Sequence, residues 1–142
     1  MLQDPTTPLR FELVFGNFDL RDFALRCLLA WLQAPNALLA QAAGAAKVPL
    51  LARGDFRNAQ LGDEGLEKLL ECLLQLPVRL ERLYLSRNGI TSRCAQVLRE
   101  LLAQGGLVDL SENLLDDAGA FTALSGAPHG SIVFLQAWGL GC

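Results

Sequence analysis

The segment Leu80-Glu81-Arg82-Leu83-Tyr84-Leu85-Ser86-Arg87-Asn88-Gly89-Ile90 constrains this chain more than any other, because the period of its apolar residues changes just beyond it. Leu83 and Leu85 alternate as in a half-buried strand, whereas Cys94, Leu98, Leu101 and Leu102 follow the spacing of one helix face. A strand and a helix this short cannot bury their apolar sides alone, so copies of the unit have to stack. Leu supplies 32 of the 142 residues, which makes a repeated Leu template the first pattern to test.

A second copy follows as Val108-Asp109-Leu110-Ser111-Glu112-Asn113-Leu114-Leu115, with Gly119 four residues after Leu115 as Cys94 is after Ile90. Weaker copies appear in the same register. Gly54 to Leu61 keeps Phe56 and Leu61 but carries Gly54 and Ala59 where Leu and Asn belong, and continues as Gly62-Asp63-Glu64-Gly65-Leu66, Leu69 and Leu73. Leu13 to Leu20 places Phe18 in the Asn position, with Ala24, Leu28, Trp31 and Leu32 behind it, and Val133 to Leu140 places Trp138 there. The anchors Leu20, Leu61, Ile90, Leu115 and Leu140 are 41, 29, 25 and 25 positions apart.

From about Leu9 onward the chain resembles a leucine-rich repeat protein of the ribonuclease-inhibitor-like subclass, carried by L-x-x-L-x-L-x-x-N-x-I at Leu80–Ile90 and its copy at Val108–Leu115. The resemblance implies an α/β fold: a short right-handed horseshoe solenoid of about five repeats, with parallel strands inside and helices outside. It also implies that Asn88 and Asn113 bond the turn backbone of a neighbouring repeat, and that turns lacking this Asn are weaker. The small residue opening each helix, Ala24, Gly65, Cys94 or Gly119, predicts close approach of helix and strand. Residues 1–8 are expected to be a flexible lead-in and 9–142 a single domain. The 41-residue gap predicts an insertion at 35–49, where Pro35 and Pro49 would bracket any short helix over 37–46.

Composition narrows the function. With 51% apolar residues, 19% charged and a net charge of −3, the chain is neither disordered nor a general nucleic-acid binder. Arg79, Arg82, Arg87, Arg93 and Arg99 are diluted by Glu81 and Glu100 and read as a solvated surface. Met1 to Arg10 lacks the apolar run of a secretory signal. The uncharged stretch Cys27 to Ala46 is interrupted by Gln33, Pro35, Asn36 and Gln41 and reads as helix and loop rather than a membrane span. Cys27, Cys72, Cys94 and Cys142 show no C-x-x-C spacing, so free thiols in a reducing intracellular compartment are expected.

Catalysis finds little support. Cys72 and Cys94 fall on core positions of the template, and His129 lies beyond the last carboxylate of the chain, Asp117. The acidic pairs Asp63-Glu64 and Asp116-Asp117 read as helix starts, where negative charge meets the positive end of the helix dipole. No catalytic residue, cofactor, metal or small-molecule substrate is expected.

Strand alternation instead points to a binding face. The outward residues Val14, Asp55, Tyr84, Asp109 and Phe134 should stand side by side on the concave sheet. Arg53, Arg82, Leu107 and Ile132 would flank them on one side, with Arg57, Ser86, Ser111 and Gln136 on the other. Exposed Tyr and Phe beside Arg and Asp is a composition that protein interfaces favour. All 27 charged residues lie at or before Asp117, leaving 25 uncharged residues that include Phe121, Ile132, Phe134 and Trp138. This tail would end half-way through a repeat and leave an apolar edge for a partner subunit to cover, ahead of a continuation of the chain or a membrane surface. The expected function is a non-catalytic protein-interaction scaffold within a larger assembly. Its partner-binding residues would be Asp55, Arg57, Arg82, Tyr84, Asp109, Ile132, Phe134, Gln136 and Trp138. An activator-type regulator of a small GTPase, a role that relatives of this subclass perform, is the alternative.

Overall fold

Wherever the template alternates, a strand forms. The computed structural model describes residues 10–34, 50–76 and 78–135. They contain β1 (Arg10–Val14), α1 (Phe23–Gln33), β2 (Leu50–Asp55), α2 (Gly62–Gln75), β3 (Val78–Tyr84), α3 (Ala95–Leu102), β4 (Leu107–Asp109), α4 (Asp117–Leu124) and β5 (Ile132–Phe134). The five strands pair in sequence order, all parallel, in one sheet. A helix follows each of the first four strands, so the class is α/β. The expected lead-in at 1–8, the insertion at 35–49, Gln136, Trp138, Leu140 and Cys142 lie outside the described residues.

Burial follows the alternation. Leu13, Leu83, Leu85, Val108 and Leu110 turn to the helix side and are buried, together with the whole predicted face of α3, Cys94, Leu98, Leu101 and Leu102. Each such Leu contributes roughly 1.5–3 kcal/mol by leaving water. The first helix departs from expectation: Leu25, Leu28 and Leu32 are buried, while Trp31 is 47% exposed. Trp31 belongs to a unit that meets a neighbour on one side only among the described residues, since β1 pairs with β2 and nothing else.

The turns repeat as faithfully as the strands. Asn17, Asn58, Arg87 and Glu112 all adopt left-handed φ between 50° and 62°, spaced 41, 29 and 25 residues apart like the anchors. The side chains in this slot pair across turns: the Asn58 amide donates to Asn17 Oδ1 at 3.1 Å, and Arg87 pairs with Glu112.

The two template asparagines are buried and fully bonded. Asn88 Nδ2 donates to the carbonyls of Phe56 (2.8 Å), Leu85 (3.0 Å) and Ser86 (3.2 Å), while its Oδ1 accepts from the amides of Ala59 and Leu61. Asn113 does the same one unit later, bonding Leu85, Leu110 and Ser111 and accepting from the amides of Asn88 and Ile90. Where Ala59 replaces the asparagine, the Leu20 amide still finds a partner in the Ala59 carbonyl at 3.0 Å. Phe18 does not turn inward as an asparagine does; it is 54% exposed and packs edge-on against Phe15.

Gly54 also has its reason. A Cβ there would lie 2.7 Å from the Phe56 ring and 2.8 Å from Leu83 Cδ1, so the fully buried Phe56 fills the space that the missing leucine leaves. Of the close approaches expected at the helix openings, the one at Gly119 is to the neighbouring unit rather than to a strand. A Cβ on Gly119 would stand 2.1 Å from Ser92 Oγ, and Gly65 faces Leu61 and Leu25 at ordinary contact distance. Polar bonds reinforce the same seam. Asp63, in the first turn of α2, accepts from Thr91 N (2.7 Å) and Thr91 Oγ1 (2.6 Å), and Asp116 accepts from Ser92 Oγ (2.8 Å) and Gly119 N (2.7 Å).

Candidate functional site

The sheet side that carries no helix among the described residues presents two rows of side chains, set by pairing register. Val14, Asp55, Tyr84, Asp109 and Phe134 are partners across all five strands, and Glu12, Arg53, Arg82, Leu107 and Ile132 form the adjacent row. A bulge shapes the second row. Ala52 pairs with Leu80 and Arg53 with Arg82, which makes Glu81 an extra residue in β3. Glu81 reaches the same side, where its carboxylate accepts from Arg53 Nε (3.1 Å), Arg53 Nη2 (3.2 Å) and Arg10 Nε (3.2 Å). These bonds, led by the one from Arg53, hold its carboxyl below the usual range. Gly106 faces the bulge so closely that a Cβ would sit 2.7 Å from the Glu81 carbonyl oxygen, at a φ of +88°.

The carboxylates of the central row are engaged locally. Asp55 takes a forked pair from Arg57, Nε at 2.9 Å and Nη2 at 2.8 Å, as well as the Arg57 amide at 3.2 Å. The fork lowers the Asp55 pKa, and burial only partly opposes it. The Arg57 guanidinium also lies over the Tyr84 ring, 5.7 Å from its centroid, which fixes the aromatic plane. Asp109 accepts from Ser111 N (2.9 Å) and Ser111 Oγ (2.6 Å). Arg82 is exposed and has no carboxylate partner among the described residues. Beyond it the face turns apolar: Leu107 is half-buried, Ile132 is 51% exposed and Phe134 is 50% exposed. A hollow of about 230 Å³ opens among Glu12, Val14, Arg53, Asp55, Arg82 and Tyr84.

Of the expected site residues, Asp55, Arg57, Arg82, Tyr84, Asp109, Ile132 and Phe134 therefore share one face, whereas Gln136 and Trp138 lie outside the described residues. Sequence reasoning missed Glu81 and Arg10. The signal was the two-residue spacer in Leu80-Glu81-Arg82-Leu83, set against a second repeat in which Ala52 rather than Leu51 lies opposite Leu80. A second, apolar hollow of about 490 Å³ lies along the side of β1 away from β2, lined by Phe15, Phe18, Ala24, Cys27, Leu28 and Trp31 among others.

The thiols lie elsewhere. Cys94 is buried with its sulfur 3.2 Å from Asp63 Oδ1, and burial together with that carboxylate pushes its pKa up to about 12. Burial also raises Cys72, whereas Cys27 is exposed. In a Cys142→Ser variant, a thiol reagent should consume one equivalent rapidly from the folded protein and the other two only in denaturant; rapid loss of all three would contradict this packing. Among the described residues no group of three or more His, Cys, Asp and Glu is arranged to hold a metal ion, and no helix is long and apolar enough to cross a membrane. No family model matches the chain, and no curated protein matches it significantly.

Proposed function

We propose that the chain is a leucine-rich repeat solenoid of the ribonuclease-inhibitor-like kind, serving as a non-catalytic scaffold whose bare sheet face and uncharged C-terminal edge dock protein partners in a larger assembly. The solenoid reading draws on the recurrence of strand register, left-handed turn residue and buried asparagine at matching intervals. The single observation that carries the function is the five-residue row of Val14, Asp55, Tyr84, Asp109 and Phe134, held in line on a face that no helix covers among the described residues, with an aromatic at its centre and another at its end. Tyr and Arg are among the residues that carry most of the energy at protein interfaces, and Phe is enriched in their buried centres.

The test is affinity capture with three forms of the full chain. Proteins retained by the wild type should be lost from a Tyr84→Ala, Phe134→Asp form and kept by a Glu71→Ala, Gln96→Ala form altered on the helix side. Equal retention by both altered forms would reject the sheet face as the docking surface.

A further inference from the structure

We propose that the row Arg53, Arg82, Leu107, Ile132 receives a protein segment bearing one carboxylate and one apolar side chain roughly 10 Å apart, the acid over Arg82 and the apolar group over Leu107 and Ile132. The inference rests on reading this face as a protein-binding surface and adds the chemistry of what binds. Charge complementarity carries it. Glu81 is satisfied by Arg53 and Arg10 and Asp55 by Arg57, while Asp109 gives one carboxylate oxygen to Ser111 and Glu12 pairs loosely with Arg53 at 3.8 Å, so Glu81 and Asp55 have little left to offer an incoming cation. Among the described residues no carboxylate engages Arg82, which opens on the hollow it shares with Arg53 and Tyr84. A carboxylate entering there meets a guanidinium that can engage it through two parallel bonds, with Arg53 one strand away.

The other half of the row sets the second requirement. Leu107 and Ile132 occupy the same register position on β4 and β5, next to Arg82 on β3. Adjacent strands lie about 4.8 Å apart, so Arg82 and Ile132 are separated by roughly 10 Å. An unstructured peptide favours the polyproline II conformation, which rises about 3.1 Å per residue and brings every third side chain to the same face, so two residues three apart cover that distance. A purely acidic ligand leaves Ile132 wet, and a purely apolar one leaves Arg82 desolvated without a partner.

Random dodecapeptides displayed on phage and selected against the full chain test the proposal, with enriched sequences synthesised and titrated by fluorescence polarisation. Enriched peptides should carry Asp or Glu about three residues from Leu, Ile, Phe or Trp. Their affinity should fall about tenfold in Arg82→Glu and less in Arg82→Gln, drop with added salt, and recover in Arg82→Glu when the peptide acid becomes Lys. Arg82 is exposed, so both variants should keep the wild-type circular dichroism spectrum. Peptides that need Tyr84 or Phe134 but carry no acid and ignore Arg82 would overturn this proposal and leave the scaffold reading standing. Peptides indifferent to all three positions, or no enrichment at all, would overturn both.

Discussion

Replacing Asn88 by Ala should lower the free energy of unfolding by about 4 kcal/mol, measured by urea denaturation of the full chain. The side chain is 3% exposed and satisfies five backbone groups, three carbonyls and two amides, across two units. Truncation strands the amides of Ala59 and Leu61 and the carbonyl of Phe56 where water has no ready access, and each stranded group costs about 1–3 kcal/mol. Asp is no substitute: it can accept from the amides but offers the carbonyls no donor, and its charge would be buried. Asn58→Ala provides the contrast, since Asn58 is exposed and, among the described residues, its side chain bonds the exposed Asn17 side chain and no buried group. Its cost should stay at about 1–2 kcal/mol, most of it from holding Ala at a left-handed φ. Equal costs at positions 58 and 88 would refute the buried-tie account.

Phe56 and Gly54 should behave as one packing unit in a double-mutant cycle. Phe56→Ala removes a ring that is 0% exposed and stacks on Phe15 at 5.7 Å between centroids, and should cost about 4 kcal/mol. Gly54→Leu restores the template residue but collides with the Phe56 ring and Leu83, costing about 1–3 kcal/mol. Together they should cost less than their sum by about 2 kcal/mol, because the new leucine enters the volume that the ring vacates. Additive costs would show that the ring does not occupy the space missing at position 54.

This pair also shows why parts of the fold were readable and others were not. Leu83, Leu85, Val108 and Leu110 follow strand period and Cys94, Leu98 and Leu101 helix period, so their burial and the parallel register follow from spacing alone. The outward row was readable for the same reason, since it is the complement of the buried set. Gly54 is opaque in sequence because its function is to make room for a side chain two residues away. The left-handed conformation of Asn17 and Asn58 suits their residue type, but Arg87 and Glu112 hold it because the ladder on either side imposes it. Trp31 fits the apolar face by period, yet a helix at the end of a stack has a flank that period cannot locate. Which charges on the bare face cancel was also hidden, because Arg10 and Glu81 are 71 residues apart and meet only across β2.

The buried asparagine ties have a consequence for how the molecule comes apart. Asn88 fastens the third unit to the second and Asn113 the fourth to the third, whereas the first joins the second without such a buried asparagine, through main-chain bonds, apolar packing that includes the Phe15–Phe56 stack, and the exposed Asn58–Asn17 contact. Thermal opening is therefore expected outside the Asn88–Asn113 latch, with β1 and α1 able to peel away before the middle units part.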